Sequence, residues 1–250
     1  MSNDIRQFAA LLRDCDRAVV FTGAGISTES GIPDFRGPGG LWTKMKPVQF
    51  QDFLRSEDVR QRSWQQWFEH GHGLLQARPN AGHHAVASLV ERGVVAAVIT
   101  QNVDNLHQAS GIPVHQVIEL HGNATYARCL DCGVQRDLDA IASEFHGTGR
   151  VGPCGDCGGI VKTATISFGQ MMPEEPMQRA EDETLACDLF IVLGSSLTVY
   201  PAAGFPALAC RNGAALVIVN QQETDLDAAA DLVMHTPIGE TMQSVLSAYL

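Results

Sequence analysis

No apolar run in this 250-residue chain approaches the roughly 18 to 20 residues that cross a bilayer. The opening stretch MSNDIRQFAALLRDCDR likewise lacks the continuous apolar core of a secretory signal. It is amphipathic instead, with Ile5, Phe8, Ala9 and Leu12 on one helical face. The expectation is a cytoplasmic protein with no membrane partner. Positive charge is also scarce: 17 Lys and Arg stand against 28 Asp and Glu, for a net charge of −11. That balance argues against direct binding of nucleic acid and favours basic partners. Internal repeats and low-complexity segments are missing. With 45% hydrophobic and 18% charged residues, the chain sits near the average for folded domains, which excludes disordered and collagen-like classes.

What is present suits one sizeable core with a smaller subdomain, or two modest domains. Short apolar, β-branched runs recur at Ala18–Thr22, Val94–Thr100, Val117–Leu120, Leu189–Leu193, Ala215–Val219 and Leu232–His235. Helical patterns such as His83–Arg92 and Pro201–Arg211 lie between them, the alternation of a doubly wound α/β fold with a parallel sheet. Residues 37–80, polar and aromatic, and residues 123–165, with little periodicity, break this alternation. They read as two insertions, one helical and one a zinc ribbon, that together make a small domain; 1–36, 81–122 and 166–250 make the large one.

Ligands of such sheets bind at the carboxyl ends of the strands. There the chain places GAGIS, QNVD, HG, GSSL and Asn220 in turn, so five polar or glycine-rich segments point at one crevice. In the first, Gly23 and Gly25 allow backbone N–H groups to approach a pyrophosphate at the start of a helix. Thr28 stands where a third glycine is usual, and no acidic residue occupies the place about 20 residues on. Alone, the loop fits an ordinary strand-to-helix turn as well.

Seven cysteines are present. Cys15, Cys187 and Cys210 are isolated in apolar or helical contexts, whereas Cys129-x-x-Cys132 and Cys154-x-x-Cys157 form two pairs 21 residues apart. In an unsecreted chain this pattern reads as metal plus buried thiols, not a disulfide framework. Four thiolates close a tetrahedral zinc site with no open position, so the metal is structural, and it helps fold a segment too small to bury a core.

GAGIS (23–27), GIPDFRG (31–37), TQNVDNLH (100–107), LHG (120–122), the cysteine pairs, FGQ (168–170) and GSSLTVYPAA (194–203) follow the order of motifs in the sirtuins. The chain resembles the bacterial members of that family from about residue 18 to 240. The resemblance implies a Rossmann-like domain, a small zinc domain, and NAD meeting an acyl-lysine protein or peptide in the cleft between them. It implies phosphate contacts from Gly23, Ala24, Gly25, Ser27 and Thr28, and a mobile cofactor loop with Asp34, Phe35 and Arg36. Gln101, Asn102, Val103 and Asp104 would line the nicotinamide and ribose pocket, and Gly194, Ser195, Ser196, Asn220 and Ile238 the adenosine end. The implied reaction is displacement of nicotinamide by the acyl oxygen, after which His121, with Asn102 as the second catalytic residue, serves as general base on a ribose hydroxyl. The products are lysine and 2′-O-acyl-ADP-ribose. Histidine suits the task because its ordinary pKa of about 6.5 lies near working pH.

By the same resemblance, Ile166, Phe168 and Gly169 face the acyl-lysine on one side and Val199, with Thr198 and Tyr200, on the other. Gln170 departs from the family's usual Glu. Ser63–Glu69 lacks the Tyr and Arg, three residues apart, of sirtuins that prefer acidic acyl groups, so acetyl is the default. Some readings stay open on the residues alone. His121 fits a strand-end histidine held by local hydrogen bonds, Asp104 a helix cap, and Asp34 and Arg36 a surface turn. Trp64, Trp67 and Phe68 fit either small-domain packing or a channel for longer acyl chains. The competing functions are ADP-ribosyl transfer or NAD hydrolysis, and a non-enzymatic NAD-responsive module.

Overall fold

The computed structural model describes residues 2–34 and 47–250; the expected cofactor residues Phe35 and Arg36 lie outside them. The chain opens with α1 (Asn3–Asp14), β1 (Ala18–Thr22), a 3₁₀ helix (Ala24–Ser30), α2 (Phe50–Arg55), α3 (Glu57–His70), α4 (His72–Gln76), α5 (Ala81–Glu91) and β2 (Val95–Thr100). It continues through α6 (Leu106–Ala109), β3 (Val117–Glu119), β4 (Gly122–Cys129), β5 (Gln135–Arg136), α7 (Leu138–Thr148) and β6 (Val161–Thr165). It ends with α8 (Glu174–Ala186), β7 (Leu189–Leu193), α9 (Gly204–Arg211), β8 (Ala215–Val219), β9 (Leu232–Met234) and α10 (Ile238–Tyr249).

The main sheet has six strands in the order β3-β2-β1-β7-β8-β9, and every pairing in it is parallel. The order reverses between β1 and β7, the crevice where doubly wound sheets bind ligands. Its central strands β1 and β7 are buried at every position because both faces are covered. Ala18 and Val20 pack with α1, α5 and α10 on one side, and Val19 and Phe21 with α8 and α9 on the other. The expected face of α1 is the buried one, Ile5, Phe8, Ala9 and Leu12, and the helix is started by the Ser2 side chain, which accepts from the Ile5 amide. Burying a side chain the size of Phe8 contributes about 1.5–3 kcal/mol.

Element ends differ from the sequence reading for local reasons. Helix α5 starts two residues early because the Asn80 side chain accepts from the Gly82 and His83 amides. Helix α9 starts at Gly204, after the chain has turned through residues 201–203. The strand read as Val117–Leu120 leaves the ladder at Glu119, although the Leu120 amide still donates to the Thr100 carbonyl.

A second, antiparallel sheet, β5-β4-β6, holds the cysteine pairs. The segment expected to show little periodicity contains the eleven-residue helix α7, capped by Asp137 and ended by Gly149 in the left-handed conformation. Its Leu138 and Ile141 close a small core with Trp64 and Phe68 of α3 and with Ala127, Val151 and Val161. Trp64 and Phe68 are thus packing residues, and Trp67 lies half-buried against the same cluster.

Candidate active site

The crevice is built by two loops that approach closely. The Gly23 amide donates to the Leu193 carbonyl at 3.1 Å, and the Gly25 amide to the Gly194 carbonyl at 2.9 Å. A Cβ on Gly23 would lie 2.7 Å from the Gly194 oxygen, and one on Gly25 2.7 Å from the Gly194 Cα. Gly194 has φ of 68°, and a Cβ there would stand 2.3 Å from the Ile26 nitrogen. At these positions glycine lets the two loops pack backbone against backbone, leaving a crevice floor lined by main-chain atoms, the kind of glycine-rich turn that admits the pyrophosphate of a dinucleotide.

Around that floor the structure gathers most of the expected residues. Asn102 is buried, and its side-chain amide donates to the Gly23 carbonyl at 3.1 Å and to Ser27 Oγ at 3.2 Å. Ser27 Oγ in turn donates to Asp104 Oδ2 at 2.6 Å. Asp104 Oδ1 accepts from the Leu106 amide at 3.0 Å, so this carboxylate also starts α6. Burial pushes the Asp104 pKa up, with the Ser27 and Leu106 hydrogen bonds pulling it back. Gln101 Nε2 reaches across the crevice to Ser195 Oγ at 2.8 Å. Asn220, at the end of β8, is held by the Gln222 carbonyl and by the His235 ring.

His121 stands at the lip. Its Nδ1 lies 2.9 Å from the Gln101 carbonyl, which can only accept, so the proton is on Nδ1 and Nε2 keeps a lone pair. Burial pushes its pKa below the ordinary 6.5, against the opposing pull of the Gln101 carbonyl. The ring is therefore neutral near pH 7, the form a general base needs. Gly122 follows with φ of 72°, where a Cβ would sit 2.1 Å from the Ala164 oxygen; only glycine lets β4 approach β6 there. The His121 carbonyl accepts from the Ile166 amide at 2.7 Å.

The other expected residues differ in burial and in their local partners. Thr28 is exposed and its hydroxyl is spent on the Gly25 carbonyl at 2.9 Å. Ile238 begins α10, buried in the core against Gly82, where a Cβ would lie 3.2 Å from its Cγ2. Ala24, Asp34, Val103, Ser196 and Val199 are half-buried, and Ser196 Oγ meets Thr198 Oγ1 at 3.0 Å. Phe168 is 41% exposed, its carbonyl taken by the Phe50 amide at 2.9 Å, and Gly169 follows it in the left-handed conformation. Ile166 lies on the wall of a groove of about 420 Å³ that Tyr126, Thr165 and Gln170 also line.

The Sγ atoms of Cys129, Cys132, Cys154 and Cys157 lie within 4.8 Å of one another, with Cys129 to Cys157 at 3.5 Å and Cys132 to Cys154 at 3.8 Å. Four thiolates at the usual Zn–S bond length stand about 3.8 Å apart, so the residues present fit a structural zinc ion.

Sequence reasoning passed over the polar layer beneath the crevice. Thr22 and Thr100 end adjacent strands in register and share a 2.8 Å hydrogen bond. His107 Nε2 lies 2.9 Å from Thr22 Oγ1. The available signal was a threonine closing each of two apolar runs. Buried Lys162, whose ammonium is held by the Thr163 and Thr165 carbonyls, was also missed; burial pushes its pKa down to about 8.

A model of the Sir2 family matches residues 23–201. An NAD-dependent protein deacetylase of Rhodopseudomonas palustris is 51% identical over 97% of this chain and 96% of its own length. The NAD-dependent protein deacetylase 1 of Bradyrhizobium diazoefficiens is 53% identical over 97% of this chain and 95% of its own length. A solved structure described as Sir2 with deacetylated p53 peptide and 3′-O-acetyl ADP ribose superposes with a TM-score of 0.90 at 36% identity, covering 98% of each chain. The family match begins at the first glycine of the crevice floor and runs past the loop that packs against it, and the chain belongs to the Sir2, or sirtuin, family.

Proposed function

We propose that this protein is an NAD-dependent protein-lysine deacylase, with acetyl-lysine as its default substrate. The observation that carries the reading is His121, neutral and with Nε2 free, at the lip of a crevice whose floor fits a dinucleotide. NAD, when bound, supplies the ribose carbon that accepts the acyl oxygen, with nicotinamide as the leaving group. Gly23, Ala24, Gly25 and Ser27 hold the diphosphate, and Gly194, Ser195, Ser196 and Asn220 the adenosine end. Asn102 and Asp104, joined through Ser27, fix the wall beside the nicotinamide and its ribose.

His121 takes the proton of a ribose hydroxyl on Nε2, while the Gln101 carbonyl holds its Nδ1–H and so keeps the ring in one tautomer. Ile166, Phe168 and Gly169 on one side and Val199 on the other seat the acyl-lysine segment as an added strand. The net charge of −11 favours basic peptides. Zinc on the four cysteines has no open position and serves the fold.

The test is mass spectrometry of an acetyl-lysine peptide incubated with the protein, with and without NAD, beside His121→Ala. Deacetylation that needs NAD, yields acyl-ADP-ribose in equal amount and disappears in the variant is expected. NAD consumed while the peptide stays acetylated would replace this reading with NAD hydrolysis or ADP-ribosyl transfer.

A further inference from the structure

Two histidines outside the catalytic roles lie side by side beneath the crevice. His83, in the first turn of α5, and His107, in α6, are 0% and 1% exposed, and their ring centroids are 5.1 Å apart with planes tilted by 56°. Each ring has one engaged nitrogen. The other, Nε2 of His83 and Nδ1 of His107, is buried without a hydrogen-bond partner among the described residues. Native proteins rarely leave such atoms unmatched.

The engaged nitrogens fix the protons independently. The Asn80 amide donates to His83 Nδ1 at 3.4 Å, so that nitrogen carries the lone pair and the proton is on Nε2. Thr22 Oγ1 gives its only proton to Thr100 Oγ1 at 2.8 Å. Toward His107 Nε2, at 2.9 Å, Thr22 can then only accept, which puts the His107 proton on Nε2 and the lone pair on Nδ1. One ring thus ends in an orphan donor and its neighbour in an orphan acceptor. Burial drives both rings neutral, with pKa values lowered to about 4 for His83 and about 3 for His107, so each keeps a single proton.

The chain continues at both ends into the crevice. Thr100 Oγ1 also accepts from the Asn102 amide at 3.0 Å, and the Asn102 side chain reaches Gly23 and Ser27. At the far end, Asn80 Nδ2 donates to the Ile26 carbonyl at 2.7 Å and to Ser30 Oγ at 2.9 Å. Both ends of the histidine chain therefore grip the segment that forms the crevice floor.

We infer that His83 and His107 are paired positioning residues: their packed rings, one ending in a donor and the other in an acceptor, hold Thr22 and Thr100 so that Asn102 is kept in its working orientation. The inference rests on Asn102 serving the site as proposed above. Two measurements test it. Long-range proton–nitrogen correlation spectra of the ¹⁵N-histidine-labelled protein should show the Nε2–H tautomer for both rings at pH 7. A proton on Nδ1 of either ring removes the match and overturns the pairing, whether or not the protein turns over substrate.

The second measurement compares His107→Phe with His107→Gln, whose amide can still donate to Thr22 and keeps an acceptor beside the His83 ring. His107→Phe should lower kcat by about tenfold with the peptide KM changed less than about twofold, and His107→Gln should recover most of the loss. Equal loss in both folded variants, or loss in neither, would overturn the positioning role. If the wild type proves inactive on acyl-lysine, the same comparison is read in affinity for NAD alone, which separates failure of this inference from failure of the deacylase reading.

Discussion

At His121 a single backbone carbonyl decides which nitrogen is free, and burial decides the charge. The pKa lies below the ordinary 6.5, so the neutral base is lost only as pH falls through that lowered value. The acid limb of kcat/KM against pH should therefore have its midpoint below 6.5, and a midpoint above 7 would contradict the assigned base. Asp104 carries a different burden, because its two oxygens serve different partners, Ser27 and Leu106. Asp104→Asn can keep the bond from the Leu106 amide but turns an amide toward the Ser27 hydroxyl. Stability should change by about 1 kcal/mol while KM for NAD rises, measured by urea melts and initial rates. Unchanged kinetics would remove Asp104 from the nicotinamide wall.

Among the elements, the loop after β7 is the most exacting. Gly194→Ala places a Cβ against the backbone of Ile26 in a left-handed conformation, so it should cost more than about 2 kcal/mol and weaken NAD binding together with folding. A melting curve and an NAD titration on the same sample check both. The strands were legible because Leu189–Leu193 and Ala215–Val219 are buried on both faces, which turns each into a continuous apolar run. Helix α7 was not legible in that way: Leu138, Ile141, Ala142 and Phe145 do follow helical spacing, but the surrounding glycines and cysteines hide it. The Asp137 cap and Gly149 are the signals that would have found it. The crevice was readable as motifs at strand ends, whereas the histidine pair was not, since His107 only closes the TQNVDNLH motif, His83 belongs to none, and nothing in the sequence joins the two until α5 and α6 are packed together.

For the molecule as a whole, the same two rings set an acid limit. Both have pKa values below 6.5 when folded, so below pH 6.5 the unfolded chain takes up protons that the folded one refuses. Stability is full above 6.5 and falls toward pH 4, by about 1.4 kcal/mol per pH unit for each ring. Asp104 and Glu119, with raised pKa values, act in the opposite sense and offset part of the loss at the acid end. The melting temperature should drop between pH 7 and 5.5, and His83→Phe should flatten that slope. Zinc sets a second limit: chelation should unfold the β5-β4-β6 module and with it the activity. A metal-free sample that stays folded and active would contradict the structural role.

The His121 carbonyl pairs with Ile166, and Gly122 stands opposite Thr165. The chain therefore leaves for the cysteine module and comes back through neighbouring residues. A segment whose two ends already touch is a cassette, with no long span for a replacement to bridge. Modules of different surface that keep the apolar face toward Trp64 and Phe68 could be spliced in between Gly122 and Thr165 without altering the parallel sheet. Because the splice point adjoins His121, the proposed base, such grafts offer a route to reprogramming which proteins the enzyme meets.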